Sequence, residues 1–182
     1  ALPHLARAVV VLRDHTRGRV SVGSDDAAVF SYRPVQSDRM RLRDAVRRRG
    51  SATLAVSGGS SAPPLFEALL DENVPWEHLT VWQVDERIAP DGDPGRNAGQ
   101  LDLIPAPVLL MPVTAVDLRA AARRYGAGLP ERFDVVHLGL GDDGHTASWP
   151  PGDRVLQATD QVAIVPSFRG HTRMTVTPPL VN

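Results

Sequence analysis

Apolar positions along the chain follow two kinds of pattern. Short runs rich in branched side chains and bounded by glycine, proline or small polar residues occur at Thr53 to Val56, Thr80 to Val84, Val108 to Met111, Val135 to Leu140, Gln161 to Val165 and Arg173 to Val176. Runs of that length and composition predict strands. Between them, apolar residues recur at helical spacing. Met40, Leu42, Ala45 and Val46 mark a helix over Asp38 to Arg49, with Ser37 or Asp38 as N-cap and Gly50 just past its end. Pro63 and Pro64 open a second helix through Leu70, where the missing N–H groups of proline cost nothing because first-turn amides have no helical partner. Leu118, Ala121, Ala122 and Tyr125 mark a third, started by Thr114 and Asp117 and stopped by Gly126 or Gly128, with Tyr125 a core position. Asn97 opens a short turn or helix. The first part of the chain is less patterned; Ala8 to Leu12, Arg19 to Val22 and Ala27 to Tyr32 read as short strands.

Strands alternating with helices predict one domain over residues 1–182, a three-layer α/β/α fold with a mainly parallel, Rossmann-like sheet. Open sheets of this kind bind ligands outside the carboxyl ends of their strands. Three stretches follow strands directly and are expected to converge there: Ser57 to Ser61, Asp85 to Arg87, and Gly141 to His145.

Composition narrows the chemistry available to them. With 182 residues, 42% of them apolar, and a net charge of -1, the chain can build a real core and has no nucleic-acid-binding stripe. No apolar run reaches membrane-spanning length, and His4, Arg7 and Arg13 interrupt any signal-peptide h-region, so a cytoplasmic protein is expected. Arg47 to Arg49 reads as a solvated last helical turn complementing the dipole. Cysteine is absent, which removes disulfides, thiolate nucleophiles and Cys-based zinc sites. Lysine is absent too, which removes Schiff-base chemistry and the P-loop lysine. Anions must then be held by arginine, backbone amides or hydroxyls.

Each stretch has a distinct character. Ser57, Gly58, Gly59, Ser60 and Ser61 join a strand to a helix N-terminus, the composition of a turn whose amides cradle an anion. Asp85, Glu86 and Arg87 put three ionisable groups at a strand end. Between Gly141 and Thr146 lie Asp142, Asp143 and His145, in which either aspartate can orient an imidazole whose ordinary pKa of about 6.5 suits proton transfer at neutral pH. These three side chains are too close in sequence to form a full metal-ligand set, and no metal or cofactor is expected. Gly139, Gly141 and Gly144 also spell G-x-G-x-x-G, but two aspartates inside the loop would repel a pyrophosphate, which counts against a nicotinamide-dependent oxidoreductase.

The segments LAVSGGSS at Leu54 to Ser61, VDER at Val84 to Arg87, Asn97, GLGDDGHTAS at Gly139 to Ser148 and RMTVTPPLVN at Arg173 to Asn182 resemble the 6-phosphogluconolactonases. That family sits in a superfamily with glucosamine-6-phosphate deaminases, and the resemblance covers about residues 50–182. Deaminases resemble DEY where this chain has Asp85, Glu86 and Arg87, and a Phe-Asn-Glu-Pro run where it has Ala147 to Pro150. The chain departs from the lactonase pattern at Trp149, Pro150 and Pro151, where Leu-Phe-Pro is usual. It also departs near Arg169, the nearest replacement for a usual lysine, and over residues 1–37.

The resemblance implies hydrolysis of 6-phospho-D-glucono-1,5-lactone to 6-phosphogluconate in the oxidative pentose phosphate pathway. It implies His145, Asp143 and Arg87 as catalytic residues, and Ser57, Gly58, Gly59, Ser60, Asp85, Asn97, Arg169 and Arg173 as substrate- and phosphate-binding residues. The expected partner is a small sugar-phosphate lactone, with no nucleic acid and no membrane, and a monomer is favoured. The alternatives are a sugar-phosphate isomerase or deaminase, and a module that binds sugar phosphate without turning it over.

Overall fold

The structure is a computed structural model that describes residues 7–9, 27–60, 62–141 and 143–180, with side chains described from Asp38 onward. The strand expected at Arg19 to Val22 lies outside the described residues, as do Ser61, Asp142 and Asn182.

Four parallel strands form the centre: β2 (Ala52–Val56), β3 (Leu79–Gln83), β5 (Val108–Leu109) and β6 (Val135–Leu140). With β1 (Arg7–Val9) antiparallel at one edge, the order is β1-β6-β2-β3-β5. Central β2 is flanked by β6 and β3, and Leu54 sits opposite both Val81 and Val135. Because neighbouring strand residues face opposite ways, each strand supplies two cores. Leu54, Val56, Val81 and Val135 pack under α1 (Ala27–Arg49) and α2 (Ala62–Leu70), against Leu42, Ala45, Phe66 and Leu69. Ala55 and Leu138 face the other way, toward α4 (Leu118–Gly128) and its Ala121, Ala122 and Tyr125. Helices on both faces give the expected three-layer α/β/α arrangement around a mainly parallel sheet.

The helix ends follow local chemistry. Asp117 caps α4 by accepting a hydrogen bond from the Ala120 amide at 2.9 Å. Tyr125 is a core residue whose hydroxyl bridges the carbonyls of Gln83 and Leu109, each at 2.9 Å. Asn97 is the N-cap residue of the short helix α3 (Ala98–Leu101).

The sequence reading is corrected at three places. Ala27 to Tyr32 is not a strand but the first part of α1, because a short apolar run fits either element and is here continuous with the amphipathic turns that follow. Asp38 therefore stands in mid-helix, 1% exposed, rather than at an N-cap. The last correction concerns Asp85 to Arg87, which form a strand of their own, β4 (Asp85–Arg87), rather than only trailing from the carboxyl end of β3. It belongs to a second sheet with β7 (Val162–Phe168) and β8 (His171–Val176), antiparallel throughout, in the order β4-β8-β7. This small sheet packs with α4 on the face opposite α1 and α2 through Val162, Val165, Met174 and Val176.

Candidate active site

The loop after β6 folds back on itself. Gly141 donates its amide to the carbonyl of His145 at 2.8 Å, and Gly144 donates to the carbonyl of Gly141 at 3.0 Å. A Cβ at Gly141 would lie 2.0 Å from His145 Cε1 and Nδ1, so only glycine lets the imidazole lie against the chain here. Asp143 Oδ1 accepts from the His145 amide at 3.1 Å and also meets His145 Nδ1. The hydrogen bond from the His145 ring, then that from its amide, holds the Asp143 carboxyl well below the usual carboxylate range, with Arg169 adding to the effect. A proton shared between Nδ1 and Asp143 leaves Nε2 as the lone-pair nitrogen. The partner is thus Asp143, while Asp142 lies outside the described residues.

The imidazole rests on Phe168, with ring centroids 4.8 Å apart and planes at 74°. Two arginines gather on the same ring, Arg173 at 5.1 Å and Arg169 at 5.8 Å from its centroid. Arg169 and Gly170 form the two-residue turn between β7 and β8. Their φ values of 50° and 78° are those of a type I′ hairpin, which suits the twist of the strands but strains an arginine. From this turn Arg169 Nη2 reaches to 3.3 Å from Asp143 Oδ2.

β4 supplies the floor. Glu86 is fully buried and accepts from Gln83 Nε2 at 2.7 Å, from the Arg87 amide at 2.7 Å, and from the Asn97 and Ala98 amides at 2.8 Å each. Four donors satisfy this carboxylate, which fastens α3 to the sheet. Asp85, 4% exposed, has its oxygens engaged as well: Oδ2 accepts from Ser148 Oγ at 2.7 Å, and Oδ1 lies 3.4 Å from Asn97 Nδ2. Burial raises the Asp85 pKa, while the Ser148 hydrogen bond and then Arg173 oppose the rise. Arg87 stands directly opposite Arg173 across the β4/β8 pair. Like charges placed so repel, and Arg87 Nε is buried without a hydrogen-bond partner.

The Ser57 to Ser60 turn differs from the expected open cradle. Its Ser57 amide donates to the carbonyl of His137 at 3.1 Å, and its Gly59 amide to Gln100 Oε1 at 2.9 Å. A Cβ at Gly58 would meet Asn97 Cγ at 2.4 Å, so the glycine makes room for Asn97. Asn97 in turn donates to the carbonyl of Asp85 at 3.1 Å. The turn is a seat for Asn97, and Ser57 Oγ, buried without a partner, is its unspent polar group.

The three stretches do converge. Contacts run from Gly58 through Asn97, Asp85 and Ser148 to the loop that carries His145, and from Asp85 through Arg173 to Phe168. Sequence reasoning missed Phe168, Ser148, Glu86 and Gln100. Ser148 and Glu86 lay inside quoted motifs, whereas nothing local marks Phe168 or Gln100. Among the described residues no group of three His, Asp or Glu side chains is arranged to hold a metal ion, and none of the helices is long and apolar enough to cross a membrane. The described residues 143–153 contain no helix, so the G-x-G-x-x-G spacing lacks the helix N-terminus that a dinucleotide pyrophosphate needs.

Comparison with known proteins gives the family of the chain. The family model for glucosamine-6-phosphate isomerases/6-phosphogluconolactonase matches residues 26–182. The chain is 36% identical over 160 residues to a 6-phosphogluconolactonase of Synechocystis sp., covering 78% of this chain and 67% of the relative. It is 32% identical over 160 residues to one of Nostoc sp., with the same 78% and 67% coverage. A solved 6-phosphogluconolactonase from Shewanella baltica superposes with a TM-score of 0.74 at 26% identity, over 85% of this chain and 72% of that one. A monomeric glucosamine-6-phosphate deaminase shares the fold at a TM-score of 0.58 and 18% identity, over 79% of this chain and 72% of that one. The chain belongs to the glucosamine-6-phosphate isomerase/6-phosphogluconolactonase family.

Proposed function

We propose that the protein hydrolyses 6-phospho-D-glucono-1,5-lactone to 6-phosphogluconate in the oxidative pentose phosphate pathway. The observation that carries this reading is an Asp143–His145 pair met by Arg169 and sharing the Phe168 ring with Arg173, which stands directly opposite Arg87 across β4 and β8. A cross-strand arginine pair is unfavourable alone and favourable around an anion. A phosphorylated lactone supplies negative charge at two places: the phosphate, and the carbonyl oxygen as water adds.

In the reaction, His145 Nε2 takes a proton from water while the water oxygen bonds to the lactone carbonyl carbon. Asp143 stabilises the resulting imidazolium, and Arg87 meets the developing oxyanion. The tetrahedral intermediate then collapses, the bond to the ring oxygen breaks, and that oxygen takes the proton back from His145. Arg169 and Arg173 grip the phosphate. No metal enters this scheme, since the lactone is already an activated ester and His145 is engaged with Asp143. Arg87 where deaminases carry tyrosine, and Ala147 to Pro150 in place of Phe-Asn-Glu-Pro, favour lactone hydrolysis over deamination. We place the protein in the cytoplasm, as expected from the sequence, in one compartment with a charged substrate that does not cross a membrane unaided.

The test is hydrolysis of freshly prepared lactone by the purified protein, corrected for spontaneous ring opening, before and after exhaustive chelation. Catalysed hydrolysis that survives chelation is expected. Ligand binding without turnover would instead mark a sugar-phosphate binding module, and ammonia release from glucosamine 6-phosphate a deaminase.

A further inference from the structure

Arg173 is 7% exposed and forms an ion pair with a buried carboxylate, yet the pair does not close into a hydrogen bond. Its Nη1 stands 3.8 Å from Asp85 Oδ2, whereas a guanidinium–carboxylate hydrogen bond closes to about 2.7–2.9 Å. Its Nε is spent on the carbonyl of Phe168 at 3.2 Å. What fills the Asp85 oxygen instead is Ser148, whose hydroxyl donates at 2.7 Å. Ser148 is fully buried, and its own amide leans on Thr175 Oγ1 at 3.4 Å in β8, two residues from Arg173. Ala147 is held at φ 48°, a conformation that strains a non-glycine residue and persists only where neighbours over-determine it. Ser148 on Asp85 and Trp149, whose Nε1 donates to the carbonyl of Val176 at 2.6 Å, are those neighbours.

We propose that Ser148 is a positioning residue for substrate binding: by filling Asp85 Oδ2 it keeps Arg173 from closing onto Asp85 and leaves the guanidinium available to the substrate phosphate. The inference rests on the phosphate-binding role of Arg173 proposed above. A buried carboxylate deprived of one donor takes the next available one. Without the serine hydroxyl that donor is Arg173, and a guanidinium closed into a buried hydrogen-bonded pair is lost to the ligand. The same bond ties the loop carrying His145 to β4, which pairs with the strand β8 that carries Arg173, so the base and the anion grip keep one spacing.

The experiment measures kcat/KM for the phosphorylated lactone and for unphosphorylated gluconolactone, in wild type, Ser148→Ala, Ser148→Thr and Arg173→Ala, with near-ultraviolet circular dichroism to verify packing. Ser148→Ala should lower the ratio of phosphorylated to unphosphorylated kcat/KM by about tenfold, chiefly through KM, and weaken inhibition by inorganic phosphate in parallel. Ser148→Thr, which keeps the hydroxyl, should restore the ratio. An unchanged ratio in Ser148→Ala, while Arg173→Ala lowers it, would overturn this inference and leave the phosphate role of Arg173 standing. An unchanged ratio in Arg173→Ala removes the phosphate role itself, and this inference with it. Should Ser148→Thr fail to pack, the phosphate inhibition constant of Ser148→Ala decides alone.

Discussion

His145 owes its usefulness to what surrounds each ring nitrogen. Asp143 takes Nδ1, Phe168 supports the ring edge-on at 4.8 Å, and Gly141 leaves the space into which the imidazole folds. Replacing His145 by Asn keeps one polar group near the same place but removes the proton acceptor. On the proposed mechanism kcat should fall by about 10² to 10⁴, with kcat/KM falling alongside it, because the phosphate is gripped elsewhere. The acid limb of the wild-type pH–rate profile should disappear in the variant, and 6-phosphogluconate should still bind. A variant with near-wild-type kcat and an intact acid limb would move the general base to another residue. This part of the site was legible in the sequence because Gly141, Asp143 and His145 lie within one short loop, where spacing alone brings them together. The Ser148–Asp85 bond was not legible, because its partners are 63 residues apart and meet only once two sheets have formed.

At the scale of the element, the turn between β7 and β8 carries strain that a different residue would relieve. A type I′ turn favours Asn-Gly, and this chain has Arg169-Gly170, with Arg169 at φ 50°. Arg169→Asn should therefore stabilise the fold by about 1 kcal/mol, since the lost contact with Asp143 is half-exposed and worth little. The same variant should raise KM for the phosphorylated lactone severalfold and leave the unphosphorylated one almost unaffected. Chemical denaturation and paired kinetics check the two halves; a variant that loses stability, or affects both lactones equally, would show that Arg169 serves the fold. The elements that sequence reasoning placed well, β2, β3, β6, α2 and α4, have strong local signals: branched apolar runs, first-turn prolines and the Asp117 cap. Those it misread depend on tertiary partners. β4 is a strand because β8 pairs with it, and the Ser57 to Ser60 turn closes because Asn97, the N-cap of α3, and Gln100 within it occupy it.

On the scale of the whole molecule, the α1/α2 side of the sheet buries two ionisable residues away from the site, His137 and Asp38, and these set how stability responds to pH. His137 on β6 is 1% exposed, packs edge-on against Phe66 at 6.4 Å, and has neither ring nitrogen hydrogen-bonded. Burial pulls its pKa down to about 4. Asp38 in α1 is equally enclosed, with Oδ1 unpartnered, and burial pushes it up to about 7, Arg41 offsetting part of the rise. Between about pH 4 and 6.5 the folded chain thus holds a proton on Asp38 and none on His137, while the unfolded chain does the reverse. The two linkages cancel, and wild-type stability should owe almost no slope to this pair in that window. Each single variant exposes the other's linkage. In Asp38→Asn only His137 remains, the unfolded state binds the extra proton, and stability should rise with pH by about 1.4 kcal/mol per unit relative to wild type. In His137→Leu only Asp38 remains, the folded state binds the extra proton, and stability should fall with pH by a similar amount, continuing to about pH 7. Denaturation midpoints of the three proteins at half-unit pH steps decide the matter. Parallel profiles would mean that neither group changes its protonation on folding.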